Sequence, residues 1–268
     1  MSLSTQHLTL GYQQRSVIED LTLSIPVGKV TVFIGSNGCG KSTLLKSLAR
    51  LMDPQSGAVI LDGIDIHQRP TAEIARKLAI LTQMPTAPEG ITVRQLVSLG
   101  RFPWQSWLRQ WSPEDEECVE QALRLTGMLE LQHRPVDALS GGQRQRAWIA
   151  MTLAQNTDTV LLDEPTTWLD LAHQVEVLDL LRRLNRQHGK TIIMVLHDLN
   201  LACRYADHLV AVHNGGVCAE GPPQAIMDET LVKTVFDLNC RIIPDPFFHT
   251  PLCIPFSREE SHEAHGAD

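Results

Sequence analysis

No apolar run in this 268-residue chain is long enough to cross a bilayer: stretches such as Val30–Ile34 and Thr191–Leu196 fall far short of the roughly 18 residues a spanning helix needs. The start, Met1-Ser2-Leu3-Ser4-Thr5-Gln6-His7, lacks the basic-then-apolar pattern of a secretory leader. Both absences lead to the expectation of a chain that stays in the cytoplasm. The six cysteines contain no C-x-x-C pair, so neither a thiolate metal motif nor a redox motif is present, and reduced, packed thiols are expected. Basic residues are short as well, 23 against 31 acidic ones for a net charge of −8. A general phosphate-neutralising surface is therefore missing, and no nucleic-acid partner is expected. Neither an internal repeat nor a sustained heptad pattern interrupts the chain.

What is there is an ordinary globular composition, 43% apolar and 20% charged, enough for one large core with a satellite lobe. Leu8 and Leu10, then Leu21, Leu23 and Ile25, recur at period two and predict an antiparallel sheet. Asp62-Gly63 inside Ala58–Ile66 adds a hairpin signal. Lys29–Gly35 is an apolar run too short for a helix, followed by a glycine-rich loop and the helix-like Lys41–Leu51. Thr159–Asp163 and Thr191–Leu196 read as buried strands around a helix marked by Val175, Leu178, Leu181 and Leu184; that β-α-β order predicts a parallel sheet. Residues 88–156 have helical character, with a start at Ser112 and Pro113 followed by Glu114, Asp115 and Glu116, and read as an inserted helical lobe. Asn214-Gly215-Gly216 predicts a late hairpin. The domain is thus placed at 1–255, with 256–268 a polar, frayed tail.

Gly35-Ser36-Asn37-Gly38-Cys39-Gly40-Lys41-Ser42 fits G-x-x-x-x-G-K-[ST] after a buried strand and at the opening of a helix, the context its mechanism demands. The glycines let backbone N–H groups, continued by that of Thr43, converge on a polyphosphate at a helix N-terminus. Lys41 then meets the β/γ-phosphates and Ser42 a Mg²⁺ ion. Val160-Leu161-Leu162-Asp163-Glu164 is a buried strand ending in two carboxylates. Asp163 is placed to hold Mg²⁺ and Glu164 to polarise an attacking water. Leu139-Ser140-Gly141-Gly142-Gln143 precedes a helix expected near Gln145 and supplies a second anion-binding helix start. A single chain cannot easily direct both starts at one nucleotide, whereas a head-to-tail homodimer can.

The P-loop, Gln83, Leu139-Ser140-Gly141-Gly142-Gln143, Leu161-Leu162-Asp163-Glu164-Pro165, Leu169-Asp170 and His197, in this order, resemble an ATP-binding cassette (ABC) ATPase over nearly the whole chain. The resemblance implies an α/β fold, a P-loop NTPase (RecA-like) core carrying an N-terminal antiparallel β subdomain and an inserted helical subdomain. It implies ATP and Mg²⁺ as cofactors and ATP hydrolysis coupled to transport. Tyr12 resembles the aromatic that stacks on adenine, and Gln83 the glutamine that links Mg²⁺ and water to the permease contact. Asp170 resembles the loop aspartate that couples two sites across the dimer, and His197 the switch histidine at the γ-phosphate. Ser36 stands where many cassettes have proline, Cys39 where serine is frequent, and Trp168 where most have a small residue.

Thr167-Trp168-Leu169-Asp170, Leu99-Gly100-Arg101-Phe102-Pro103 and the segment from His197 to Ala206 resemble the ATPases of bacterial iron(III)-siderophore importers. That similarity implies a peripheral subunit on the cytoplasmic face of the inner membrane, bound to transmembrane permease subunits and served indirectly by a periplasmic or surface substrate-binding protein. Importers of vitamin B12, haem and other metal chelates use similar cassettes and stay as alternatives. ABC ATPases without a permease are a further alternative, disfavoured because the chain has no long coiled-coil insertion and one cassette only. Trp104, Trp107 and Trp111 are read either as permease-docking residues or as packing within the lobe. His249, His262 and His265 lie in a polar region without fixed geometry and are not read as a metal site.

Overall fold

The computed structural model describes residues 2–13, 15–83, 85–106 and 111–257. Strands β1 (Leu3–Tyr12) and β2 (Arg15–Ile25) pair antiparallel, as their period-two apolar residues require. The next strand, β3 (Val30–Ile34), is buried at every residue and leads through the glycine-rich loop into α1 (Lys41–Leu48). β4 (Ser56–Leu61) and β5 (Ile64–Asp65) form the hairpin predicted at Asp62-Gly63, both turn residues having positive φ. α2 (Thr71–Ala75) and β6 (Leu78–Leu81) follow. The helical lobe then consists of α3 (Val93–Leu99), α4 (Pro113–Leu125) and α5 (Gly141–Ala154). The chain re-enters the core with β7 (Thr159–Leu162), α6 (Leu171–His188), β8 (Thr191–Val195) and α7 (Leu199–Tyr205). β9 (His208–His213) and β10 (Gly216–Gly221) make the late hairpin. Beyond them lie α8 (Pro223–Ile226), α9 (Glu229–Phe236) and a hairpin of β11 (Cys240–Pro244) with β12 (Pro251–Pro255).

The central sheet has the order β10-β9-β3-β8-β7-β6, with parallel pairing from β9 through β6. Because a parallel sheet is covered on both faces, its strands read as unbroken apolar runs whose alternate residues serve two cores. Val32, Val160, Leu162, Ile192 and Met194 face the core shared with the helical lobe and α6. Phe33, Leu161, Ile193 and Val195 face a second core, closed by α1 and the β2-β1-β4-β5 sheet.

Two helix boundaries and one hairpin differ from expectation. α5 begins at Gly141 rather than near Gln145, because Ser140 and Gln143 form a reciprocal capping box that starts the helix upstream of its glycine pair. α1 stops at Leu48 rather than Leu51: Arg50 takes a left-handed conformation, and Arg50 N and Leu51 N donate to Ser47 O and Lys46 O, the bond pair of a Schellman cap. The β11–β12 hairpin was not anticipated; it is held to α7 by Asn200, which accepts from Cys253 N and donates to Cys253 O. Its turn carries the exposed His249. Residues 258–268, including His262 and His265, lie outside the described residues, as do Met84 and Trp107.

The predicted start at Ser112 is a capping box with Asp115, and Asp115 does more than cap. Its Oδ1 accepts from Arg101 Nε at 2.8 Å, and both side chains are buried, at 0% and 1% exposure. Arg101 also donates to Ala154 O, so one guanidinium joins the ends of α3 and α5 to the start of α4. Burial raises the Asp115 carboxyl, but hydrogen bonds from Arg101 and Ser112 outweigh it and hold the group below the usual carboxylate range. Removing one partner strands a buried charge. Arg101→Met is expected to cost about 3–5 kcal/mol in denaturant unfolding, with much of the loss recovered in Arg101→Met/Asp115→Leu. Equal stability of Arg101→Met and wild type would show that the pair does not hold the lobe.

Candidate functional site

The sheet order β3-β8-β7-β6 sets the ends of four adjacent parallel strands along one rim. Gly35 follows β3, His197 lies just beyond β8, Asp163 and Glu164 follow β7, and Gln83 lies just beyond β6. Ligands of open parallel sheets bind outside these carboxyl ends, where loops leave backbone and side-chain polar groups unpaired.

The loop after β3 needs its glycines. Gly35 has φ +153°, and a Cβ there would lie 2.3 Å from Val212 O. Gly40, at φ +107°, would place a Cβ 2.7 Å from Ile18 Cδ1. Gly40 is the N-cap of α1 and supplies no side-chain cap, so the first N–H groups of the helix are left for an anion. Lys41 is buried beneath the loop and donates through Nζ to Gly35 O and Ser36 O, both at 2.8 Å, with Cys39 Sγ at 3.6 Å. A crevice bounded by Tyr12, Asn37, Gly38, Thr43, Glu164 and His197 opens above Lys41 and Ser42. Beside it lies a wider hollow of about 790 Å³ reaching Arg15, Ser36, Cys39 and Asn214. Tyr12 borders both and is 54% exposed.

Ser42 Oγ donates to Asp163 Oδ1 at 2.8 Å. Burial raises the Asp163 carboxyl despite this bond, and its Oδ2 is buried with no hydrogen-bond partner among the described residues. A buried acceptor left in that state is costly. Two oxygen donors at the phosphate end of the crevice, one of them unsatisfied, fit a hard, oxygen-seeking cation such as Mg²⁺ that completes its shell with phosphate and water oxygens.

Glu164 has three side-chain partners. Its Oε1 pairs with His197 Nε2 at 2.7 Å; its Oε2 accepts from Gln83 Nε2 at 2.7 Å and from Thr167 Oγ1 at 2.9 Å. Burial pushes this carboxyl up, yet the bonds from His197, Thr167 and Gln83 hold it below its ordinary value. It is an anion at neutral pH, with φ +52° turning it back over the crevice.

Tyr12, the loop from Gly35 to Thr43, Gln83, Asp163, Glu164 and His197 are therefore gathered by one fold. Ser140, Gly141, Gly142 and Gln143 do not border that crevice; Ser140 and Gly141 face solvent at the start of α5. Asp170 lies outside it too, where its carboxylate caps α6 through His173 N at 3.0 Å and meets the His173 ring at 2.7 Å. Hydrogen bonds to its neighbours, the His173 amide first, hold that carboxyl low. Sequence reasoning missed Thr167 and His173. Each sits three residues from an acidic partner, a local spacing that was available as a signal.

Comparison with known proteins agrees with this geometry. A family model described as ABC transporter matches residues 18–167. The achromobactin transport ATP-binding protein of Dickeya dadantii is 71% identical over 98% of this chain and 97% of its own length. The ferric enterobactin transport ATP-binding protein of Escherichia coli is 52% identical over 96% of this chain and 94% of its own. An inward-facing structure of a metal-chelate type ABC transporter superposes with a TM-score of 0.83 at 26% identity, covering 97% of this chain and 99% of that one. A nucleotide loop, a carboxylate pair and a histidine on one parallel-sheet rim, matched across the full length by such relatives, show that the chain belongs to the ABC transporter family as an ATP-hydrolysing, ATP-binding subunit.

Proposed function

We propose that this chain energises import of an iron(III)-siderophore complex across the bacterial inner membrane. It acts at the cytoplasmic face as a head-to-tail homodimer beneath transmembrane permease subunits, which receive cargo from a periplasmic or surface binding protein. The cargo class rests on the relatives, which carry achromobactin and ferric enterobactin by name. No helix among the described residues is long and apolar enough to cross a membrane, so the translocation path falls to the partner subunits.

The observation that carries the dimer is the division of the site. One chain gathers Lys41, Ser42, Asp163 and Glu164 around its crevice while the Ser140–Gln143 helix start stays outside it, with Ser140 and Gly141 exposed. A second copy turned head to tail brings its Ser140–Gln143 over the phosphates of the first, and the reverse, closing two ATP sites. The nucleotide loop and Lys41 hold the phosphates, and Tyr12 stacks on the base. Ser42 and Asp163 would hold Mg²⁺, with Gln83 bonded to the adjacent Glu164; the ion would neutralise charge on the phosphate oxygens. Glu164, kept ionised, orients the water and accepts its proton, and His197 is shared between Glu164 and the γ-phosphate. Asp170 stands at the contact between copies next to Trp168, which is 88% exposed.

The permease contact belongs on the helical lobe, where a groove of about 770 Å³ is lined by Ile91, Arg94, Leu99 and Trp111. Leu99 and Phe102 are exposed on this lobe. Trp104 is a packing residue, its Nε1 bonded to Gln155 O at 2.8 Å and its ring approached by Arg76 and Arg101.

Glu164→Gln is expected to keep ATP, lose about 10²–10⁴-fold in turnover and accumulate as an ATP-held dimer in size-exclusion chromatography; turnover equal to wild type would remove Glu164 as the base. His197→Ala deletes a bond that keeps Glu164 acidic, so the acid limb of the pH–rate profile should move to higher pH. An unmoved limb would assign that titration to another group. Cells lacking the gene should lose accumulation of labelled iron(III)-siderophore, and Leu99→Glu should lose it while retaining ATP affinity. Undiminished uptake of every siderophore tested in the deletion strain would sink the cargo assignment.

A further inference from the structure

Gly142 lies in ordinary helical backbone within α5, so conformation does not explain why the position has no side chain. The neighbour does. A Cβ at residue 142 would lie 2.5 Å from His173 Cδ2, 2.9 Å from Cγ and 3.2 Å from Nε2. The imidazole therefore rests directly against the backbone of the Ser140–Gln143 turn. It is held there by Asp170, whose Oδ1 is 2.7 Å from His173 Nδ1 and also caps the His173 amide. Because a carboxylate only accepts, Nδ1 is the protonated nitrogen and the ring cannot turn over without breaking this bond.

One near approach and one ion pair run alongside. Leu169 Cδ2 lies 3.9 Å from the position a Cβ on Gly141 would occupy, and Arg146 pairs with Glu176 at 3.3 Å. The start of α5 thus lies against the start of α6, with His173 at the closest approach and the Arg146–Glu176 pair beside it. α6 is reached from Glu164 through the short loop Pro165–Asp170, in which Thr167 bonds to Glu164 itself. Within each chain, the carboxylate at its own phosphates is joined to the helix start offered to the other copy.

We propose that His173 is a positioning residue. Anchored by Asp170, its ring sets the direction in which the Ser140–Gln143 helix start is presented to the partner's nucleotide and ties that direction to the loop carrying Glu164. This rests on the two-copy reading above. A bond between side chains three residues apart would serve α6 alone; contact with Gly142 extends it to a second helix. Interactions that only orient a group act on the reacting geometry rather than on ground-state affinity.

The test uses the full chain assembled with its permease, measuring ATP turnover against ATP concentration for wild type, His173→Ala and His173→Asn, together with ATP affinity of the uncomplexed chains. His173→Ala should bind ATP as wild type does, lose about 10- to 100-fold in kcat and lose cooperativity in ATP. His173→Asn, which keeps an amide donor for Asp170, should recover most of the rate. Wild-type kcat and cooperativity in His173→Ala overturn the proposal. Equal rate loss in both variants, accompanied by lowered thermal stability, overturns it too, since that marks packing alone. The Glu164→Gln chain separates the two levels. If it forms no ATP-held dimer, the two-copy reading has failed; if it does and His173→Ala turns over normally, only the role of His173 has.

Discussion

The organising constraint is a parallel sheet that must be dry on both faces. Covering β3, β7 and β8 with α1 and the antiparallel sheet on one side, and with α6 and the helical lobe on the other, leaves the strands themselves buried and mostly apolar, with no charged side chain along them. Polar chemistry is consequently displaced to the carboxyl rim, where each strand ends in a loop. Gly35, His197, Glu164 and Gln83 become neighbours because β3, β8, β7 and β6 are neighbours, although they are scattered along the sequence.

At that rim the polar groups are arranged unequally, and the inequality marks the work each can do. Glu164 has three donors around its two oxygens and is held as an anion against the cost of its burial. Asp163, two per cent exposed, has one donor and one oxygen without any. A carboxylate fully supplied by protein is set in place; one left short is completed by what binds. Lys41 is positioned in the same spirit, its ammonium kept below the loop by the Gly35 and Ser36 carbonyls rather than dispersed into solvent.

The helical lobe gives the molecule its second helix start and holds it with a different device. The buried Arg101–Asp115 pair ties three helix ends together inside the lobe, while His173 and Glu176 of the core helix α6 meet the front of α5. The exposed groove beside Leu99 and Trp111 thus sits on the same lobe as α5, whose start lies against α6.

Strand identity, the nucleotide loop and the late hairpin could be read from local pattern, since period two, short buried runs and Asn-Gly turns act over a few residues. The capping box at Ser140 was equally local, yet the glycine pair inside it disguised a helix as a loop, because helix propensity alone disfavours glycine. Sequence by itself determined which residues were candidates for phosphate, cation and water, since side-chain chemistry, short spacing and the family's motif order act at that level. Only the tertiary structure decided that Gln83, Thr167 and His197 converge on one carboxylate, that Asp163 keeps an oxygen without a partner among the described residues, and that an imidazole fills the space a side chain at Gly142 would take. Such facts depend on strand order and on contacts between distant segments, which the period of a sequence does not encode.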